Sequence, residues 1–592
     1  MNVWNSSVSS LFVVVMMPLL WGCATGQVEI EPPSAEFVQQ ADEHDLAYQF
    51  ASTSVGGMPA LEVTMQLQTG DASHTELRVP HSWANIRDYD GIVGLQLIGD
   101  EGGRLVETDD PEIVRVEHEP HARLTVGYVV VPTYEQLDHS THRLPTIDEE
   151  HFVALGRGIL VIPSRDEELV RDILLDWSEL PASWEVANSM GVDERTQSLQ
   201  TSVAVLLGQS FAGGSYHRIS DEHNGVPVEF LIHDNWVDSI EEFTGTVHQL
   251  KSAGTDLFGD HAHDFMLVTV HPLDVEQPES YGLAGQNSVQ LWLGHDAELD
   301  SKWPLLLTSH EVVHIWNGQT LHPPFEASSE YTWFSEGVTD YYAARLLIRE
   351  GLIDLEEYLR IRNQQLFEYE VSPHHTASND ELAQLRWQDA DARRLPYLRG
   401  AILAMTWDTS IRQATDKKVS LDDVMMQLFE QTRENDSKLT WQLLNEVLEP
   451  LWADGPQEVD NLVRSGEELI PHHQALGPCV EPAVSKAGPY NPGFDIDGSA
   501  DAGEIRGVVD GGAAYEAGLR NGHRLRSWEV YTPGRQEIAM DHFEIVHYTA
   551  DGTKRRVRFL PTDDPQRVRQ FGLDDDRYDE DPDACMEWFN TY

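Results

Sequence analysis

His310-Glu311-Val312-Val313-His314 constrains this chain more than any other run of residues. Side chains four apart stack on one face of a helix. Both imidazoles can therefore reach one ion, with Glu311 beside it rather than on it. Zinc sites of the H-E-x-x-H kind use this spacing, the glutamate serving as general base. The setting suits a helix: Pro304 fits a first helical position, and Leu306, Leu307, Val313 and Ile315 offer a face to bury. A second helical run is predicted over 331–350, with Ser328-Ser329-Glu330 as its N-terminal signal. On it Glu336 and Asp340 share a face, so Glu336 would complete a His2Glu ligand set with one position left open. The bland alternative is a pair of surface histidines on an ordinary amphipathic helix.

Further residues carry a family resemblance. Asn317 in His-Ile-Trp-Asn, the run Trp333-Phe334-Ser335-Glu336-Gly337-Val338-Thr339-Asp340, the run Pro396-Tyr397-Leu398-Arg399-Gly400, and Ser420-Leu421-Asp422-Asp423 after Ile411-Arg412 are similar to the glycyl aminopeptidase family of gluzincin metallopeptidases. The resemblance spans most of residues 40–565 and is tightest over 281–430. It implies a multidomain α+β protein: an N-terminal antiparallel β-sandwich, a thermolysin-like, mainly helical catalytic domain, and a C-terminal PDZ domain. It also implies one zinc ion held by His310, His314 and Glu336, with Glu311 as base and Tyr397 as hydrogen-bond donor to the oxyanion. Asp340 is placed to orient a zinc ligand from behind, although a solvated helix carboxylate is equally consistent with its position. His322 lies near in sequence, but Pro323-Pro324 puts it on a loop, away from the ligand set.

One departure bears on substrate. The family carries a Gly-Gly-Leu-Glu-His-type strand whose glutamate is taken to anchor the substrate ammonium. Here the matching substrate-binding strand reads Gly282-Leu283-Ala284-Gly285, with Ala284 in the glutamate's place. An ammonium buried without a carboxylate is poorly compensated. The resemblance therefore implies peptide hydrolysis, aminopeptidase by family, with internal cleavage left open. The competing reading is a catalytically silent, peptide-binding scaffold lipoprotein using its PDZ domain.

Residues 11–20 form an apolar stretch too short to span a bilayer, ending at Leu20-Trp21-Gly22-Cys23. This resembles a bacterial lipoprotein signal, with 1–22 removed and Cys23 lipidated. The expected location is the cell envelope, on the outer membrane or the periplasmic side, held by an N-terminal lipid anchor. Cys479 and Cys585 remain, and an exported chain allows their disulfide as readily as two free thiols. With 100 acidic against 40 basic residues, the net charge of −60 argues against nucleic acid as a partner. Peptide or protein substrates are the expected partners.

Short apolar runs between turns over 46–240 predict the β-domain. The catalytic domain is placed at 241–460, after a linker at 23–45 and before a second one at 461–487. The PDZ domain is placed at 488–565 and an acidic tail at 566–592. Gly493-Phe494-Asp495-Ile496 resembles the PDZ loop that caps a peptide C-terminus, and such a domain would take a C-terminal peptide as an added strand.

Overall fold

The computed structural model describes residues 30–590, apart from 83–88, 100–102, 135–140, 192–194, 260–261, 274–279, 296, 325–328, 387, 436, 473, 530–537 and 540–541. The leader and Cys23 lie outside the described residues.

Alternating apolar residues make the first domain a layered β-structure. The hairpin Leu46–Val55 with Met58–Gln68 turns on Gly56 and Gly57, both at positive φ, as a tight two-residue hairpin turn demands. It lies inside a six-stranded sheet, which shares one core with two four-stranded sheets. The sheet is not purely antiparallel as expected. Leu46–Val55 pairs in parallel with Arg171–Glu179, because more than a hundred residues of chain separate them and a hairpin cannot form.

The domain boundary also moves. Strands Tyr216–His223 and Val226–His233, expected in the β-domain, belong to the next sheet. There Val226–His233, Met266–Leu273 and Ser288–Gly294 run parallel, and Ser280–Gly285 closes one edge in antiparallel register. Their near-continuous apolar runs are those of strands buried on both faces. Helix Ile240–Phe258 links the first two parallel strands and packs through Gly254, where an added Cβ would stand 2.4 Å from the Trp316 ring.

The helices behind the sheet are held by a buried charge cluster. Arg345 donates to Asp422 at 2.9 Å and lies 3.6 Å from Asp408. Tyr342 donates to Asp422, and Arg412 pairs with Asp408 at 3.0 Å. Ser420 and Asp423 form a capping box that starts helix Leu421–Glu434 and sets Asp422 inward. The Ser-Leu-Asp-Asp run thus serves packing rather than the site.

The acidic tail is not a tail. Gln566–Leu573 is a strand paired with Val480–Pro489, and helices Asp575–Glu580 and Pro582–Asn590 follow it. The linker expected at 461–487 accordingly ends inside a strand. Asn363 pairs with the backbone of Phe571 in both directions, at 2.8 and 2.7 Å, and Arg569 pairs with Glu370 at 3.1 Å. These contacts bolt the strand to helix Leu355–Val371. Cys479 and Cys585 are joined in a disulfide, their Cα atoms 5.5 Å apart. Residues 490–559 form a small unit with its own core around Phe494, Ile505, Leu519, Phe543 and Ile545.

Removing one member of a buried ion pair leaves its partner uncompensated. Asp422→Ala is expected to lower unfolding free energy by about 3 kcal/mol, read from urea denaturation monitored by tryptophan fluorescence.

Candidate metal centre

Helix Lys302–Val313 carries the first candidate ligand, His310, and the second, His314, is its C-terminal cap; His310 and Glu311 are buried. The third comes from a widened turn. Residues Trp333–Val338 form a π-helical segment that runs directly into helix Thr339–Arg349. Such a turn frees backbone groups, and Asn317 satisfies them. Its side-chain amide donates to the Phe334 carbonyl at 3.1 Å and to the Thr339 hydroxyl at 3.0 Å, which in turn donates to the Ser335 carbonyl. Periodicity predicted one regular helix here; only the small residues Ser335, Gly337 and Thr339 hinted at a break in it.

Two glycines bring Tyr397 to the site. A Cβ on Gly400 would meet the Trp333 carbonyl oxygen at 1.8 Å, and one on Gly337 would meet Gly400 Cα at 2.5 Å. The π segment and helix Ala390–Ala414 are in backbone contact there. Tyr397, three residues earlier, consequently lies with its ring 6.2 Å from that of His310.

The donors converge. His310 Nε2 and His314 Nε2 are 3.0 Å apart, and each is 3.4 Å from Glu336 Oε2. His310 Nδ1–H donates to Asp340 at 2.8 Å, and His314 Nδ1–H donates to the Asn317 carbonyl at 2.8 Å. With both Nδ1 atoms protonated, both Nε2 lone pairs face each other and a carboxylate oxygen. A cation resolves that arrangement, either a metal ion or a proton on Nε2 shared with Glu336. A tetrahedral zinc with arms of about 2 Å has donor–donor edges of roughly 3.3 Å, so the three atoms fit it. Asp340 is the carboxylate behind a metal-binding histidine.

Among the protein's own groups, the electrostatics favour a proton in that place. Burial disfavours charge on His310, but Asp340 and Glu336 outweigh it and hold the imidazole well above its ordinary value. Burial likewise opposes ionisation of Glu336, yet His314 and His310 keep its carboxyl well below the usual range. Glu311 is pushed up by burial and by Glu336, against the pull of the two imidazoles. Burial raises the Tyr397 phenol well above its usual value, with Glu336 adding to the rise. Tyr397 therefore keeps its proton and is a donor.

A cavity of about 970 Å³ opens over these groups. Its wall includes the edge strand Ser280–Gly285. Gly282 has a steric reason to be glycine, since a Cβ would stand 2.3 Å from Glu311 Oε1. Ala284 is on the same face of that strand, and Leu283 packs on the opposite face against the core shared with the β-domain. The carboxylates lining the cavity are Glu311, Glu336, Asp340 and Glu368. Apart from Glu311 all are engaged, Glu368 accepting from Gln364 and Arg394. His322 is occupied as well, accepting from Lys438 Nζ at 2.8 Å.

Two other groupings fall short. Glu150, His151 and His233 bring potential ligand atoms within 4.8 Å of one another. His233 Nδ1, however, accepts the Asn235 N–H, which puts the ring proton on Nε2 and leaves no lone pair for a metal. The loop Gly493–Ile496 does not fit its expected part. Gly493 N–H donates to Asn491, Asp495 N–H donates to the Arg506 carbonyl, and Ile496 begins a helix, Ile496–Ala502, where a docking strand was expected. Two of the loop's amides are therefore spent within the fold, and the Asp495 side chain caps the helix by accepting from Gly498 N–H.

The sequence model of the M61 glycyl aminopeptidase family matches residues 304–395, which hold every residue of the centre except Tyr397. No curated protein matches the chain. Among solved structures, an aminopeptidase N family protein from Idiomarina loihiensis is 17% identical, with a TM-score of 0.66 over 92% of this chain and 100% of that one. It shares the fold across nearly the whole length. The M1 zinc metallopeptidase from Deinococcus radiodurans is also 17% identical, covering 72% of this chain and 94% of its own, with a TM-score of 0.47. The matched segment and the donor geometry define a zinc metallopeptidase.

Two substitutions test the centre. Asp340→Asn should weaken zinc binding about 10–100-fold, measured by competition with a chromophoric chelator while circular dichroism stays unchanged. Gly400→Ala should separate the two backbones, costing about 1–3 kcal/mol of stability and lowering zinc affinity with it.

Proposed function

We propose that the protein hydrolyses peptide bonds in an extended chain laid along the edge strand Ser280–Gly285, without anchoring the substrate's amino terminus. The observation that carries this reading is the convergence of His310, His314 and Glu336 on one point, with Glu311 packed directly against Gly282. When bound, zinc supplies Lewis acidity at the scissile carbonyl and acidifies water toward neutral pH.

The chain's own groups do the rest. An edge strand offers unpaired main-chain donors and acceptors, which align an extended peptide. Glu311, raised by burial, takes a proton from the attacking water and returns it to the leaving amine. Tyr397 donates to the oxygen on which negative charge develops. His310 is held in its tautomer by Asp340, and His314 by the Asn317 carbonyl. Ala284 offers no charge to a substrate ammonium, and among the described residues the cleft carboxylates other than the base Glu311 are engaged. A free amino terminus therefore brings no advantage.

The scaffold alternative has less support. It needs a peptide loop at Gly493–Ile496, where the Gly493 and Asp495 amides are already used, and it has no need of a complete ligand set. For the amino-terminal leader the proposal remains the lipoprotein reading: cleavage before Cys23, lipidation of that residue, and attachment at the cell envelope, resting on the sequence of residues 11–23.

The test uses the zinc-loaded chain from Ala24 onward with matched peptides, one free and one acetylated at the amino terminus. Mass spectrometry should find internal cuts in both. Glu311→Gln should keep its zinc and lose cleavage of both. Tyr397→Phe should lower kcat about 10²–10³-fold. Stepwise loss of single residues from the free peptide alone would overturn the proposed mode of binding.

A further inference from the structure

The cleft has guanidiniums to spare. Arg143 lines it from a turn of the β-domain and is half-buried. Its flanking residues fix it there: His142 is buried and stacks on Tyr281 of the cleft strand at 5.4 Å, while Leu144 is buried beside Tyr89. Yet Arg143 Nε is buried without a hydrogen-bond partner, and no described carboxylate lies in ion-pairing range of its guanidinium. Arg393, at the start of helix Ala390–Ala414, lines the same cleft, half-buried and equally without a carboxylate. Arg394 next to it is paired with Glu368 at 3.0 Å. The contrast matters in a chain with 100 acidic and 40 basic residues. Carboxylates are in excess throughout the sequence, but among the described residues none is spent on these two.

Holding an unpaired guanidinium in a partly buried site is costly. Arg143 and Arg393 both lie close to Arg386: burial depresses its guanidinium, Tyr397 and Glu336 oppose that, and the charges of Arg143 and Arg393 add to it. Arg143 and Arg386 face Tyr397 against the charges of Glu336 and Asp340. Arginine's planar fork is shaped for carboxylates, which it binds through two parallel hydrogen bonds. The complementary lack is at Ala284, where the strand has no acid to hold an ammonium.

We infer that Arg143 and Arg393 form a carboxylate subsite, so that the preferred substrate is a peptide carrying a carboxylate close to the scissile bond. This deepens the peptidase reading and rests on it for the position of that bond. The carboxylate has two sources, an Asp or Glu side chain or the free carboxyl terminus of a short peptide, and the chemistry of recognition is the same for both.

Three acetylated pentapeptides separate the outcomes: one with Asn and a C-terminal amide, one with Asp at that position and an amide, and one with Asn and a free C-terminus. Their binding is measured on the zinc-loaded Glu311→Gln chain, and kcat/KM on the parent chain. At least one carboxylate peptide should bind about 10-fold or more tightly than the neutral one, with the same preference in kcat/KM expressed through KM. Preference for the Asp peptide assigns the side chain as source, and preference for the free acid assigns the terminus. Arg143→Gln should collapse the ratio between charged and neutral peptides to near one, Arg143→Lys should keep part of it, and Arg393→Gln should reduce it. Equal affinity for all three peptides would overturn the subsite. So would an equal loss on all three in Arg143→Gln, which would mean that Arg143 acts through Glu311. Discrimination in binding without Glu311-dependent hydrolysis would leave the subsite standing and remove the peptidase reading instead.

Discussion

Two imidazole lone pairs and a carboxylate oxygen are forced within 3.0–3.4 Å of one another in a buried place. Without a cation they repel, so the surrounding fold must hold them. It does so from behind, through Asp340 on one ring and the Asn317 carbonyl on the other. It does so from the side, through a π turn whose loosened backbone Asn317 ties down. Much of what is special about residues 310–400 follows from that requirement.

The same need explains the glycines. Glu336 and Tyr397 sit on different helices, and both must reach the zinc helix. They do so because Gly337 and Gly400 let two backbones touch, where any side chain would separate them. Gly282 does similar work on the other wall, making room for the Glu311 carboxylate above the strand. Three positions without side chains thus decide where three functional side chains stand.

Charge is arranged against the composition. The protein is strongly acidic, but among the described residues the cleft carboxylates other than Glu311 are committed to the two imidazoles or to Arg394, while Arg143 and Arg393 have no carboxylate partner. Behind the cleft, the Arg345 cluster neutralises its own acids, and the strand Gln566–Leu573 clamps helix Leu355–Val371, whose other face supplies Gln364 and Glu368 to the cavity. The C-terminal part is thereby a support for the site wall rather than an appendage.

That His310 and His314 would stand together beside Glu311 was legible in the sequence because the signal is local: i and i+4 on a helix must share a face, whatever the rest of the chain does. Glu336, Tyr397 and Asp340 were legible through motif likeness, and the loss at Ala284 through its departure from that likeness. Other features depended on distant pairing. The parallel register of Leu46–Val55 with Arg171–Glu179, the transfer of Tyr216–His233 to the catalytic sheet, and the docking of the supposed tail all join residues far apart in the chain. So does the Cys479–Cys585 bond. Gly493–Ile496 shows the converse: a loop motif can be matched while its amides are taken by Asn491 and Arg506. Arg143 is the clearest case of all. Nothing around it in sequence marks it, and only the packing of His142 on Tyr281 carries it into the cleft. The chain by itself determined the reacting groups, since their spacing is set by one helix. The tertiary structure decided which charges face them, since burial and the absence of a partner are properties of space and not of order along the chain.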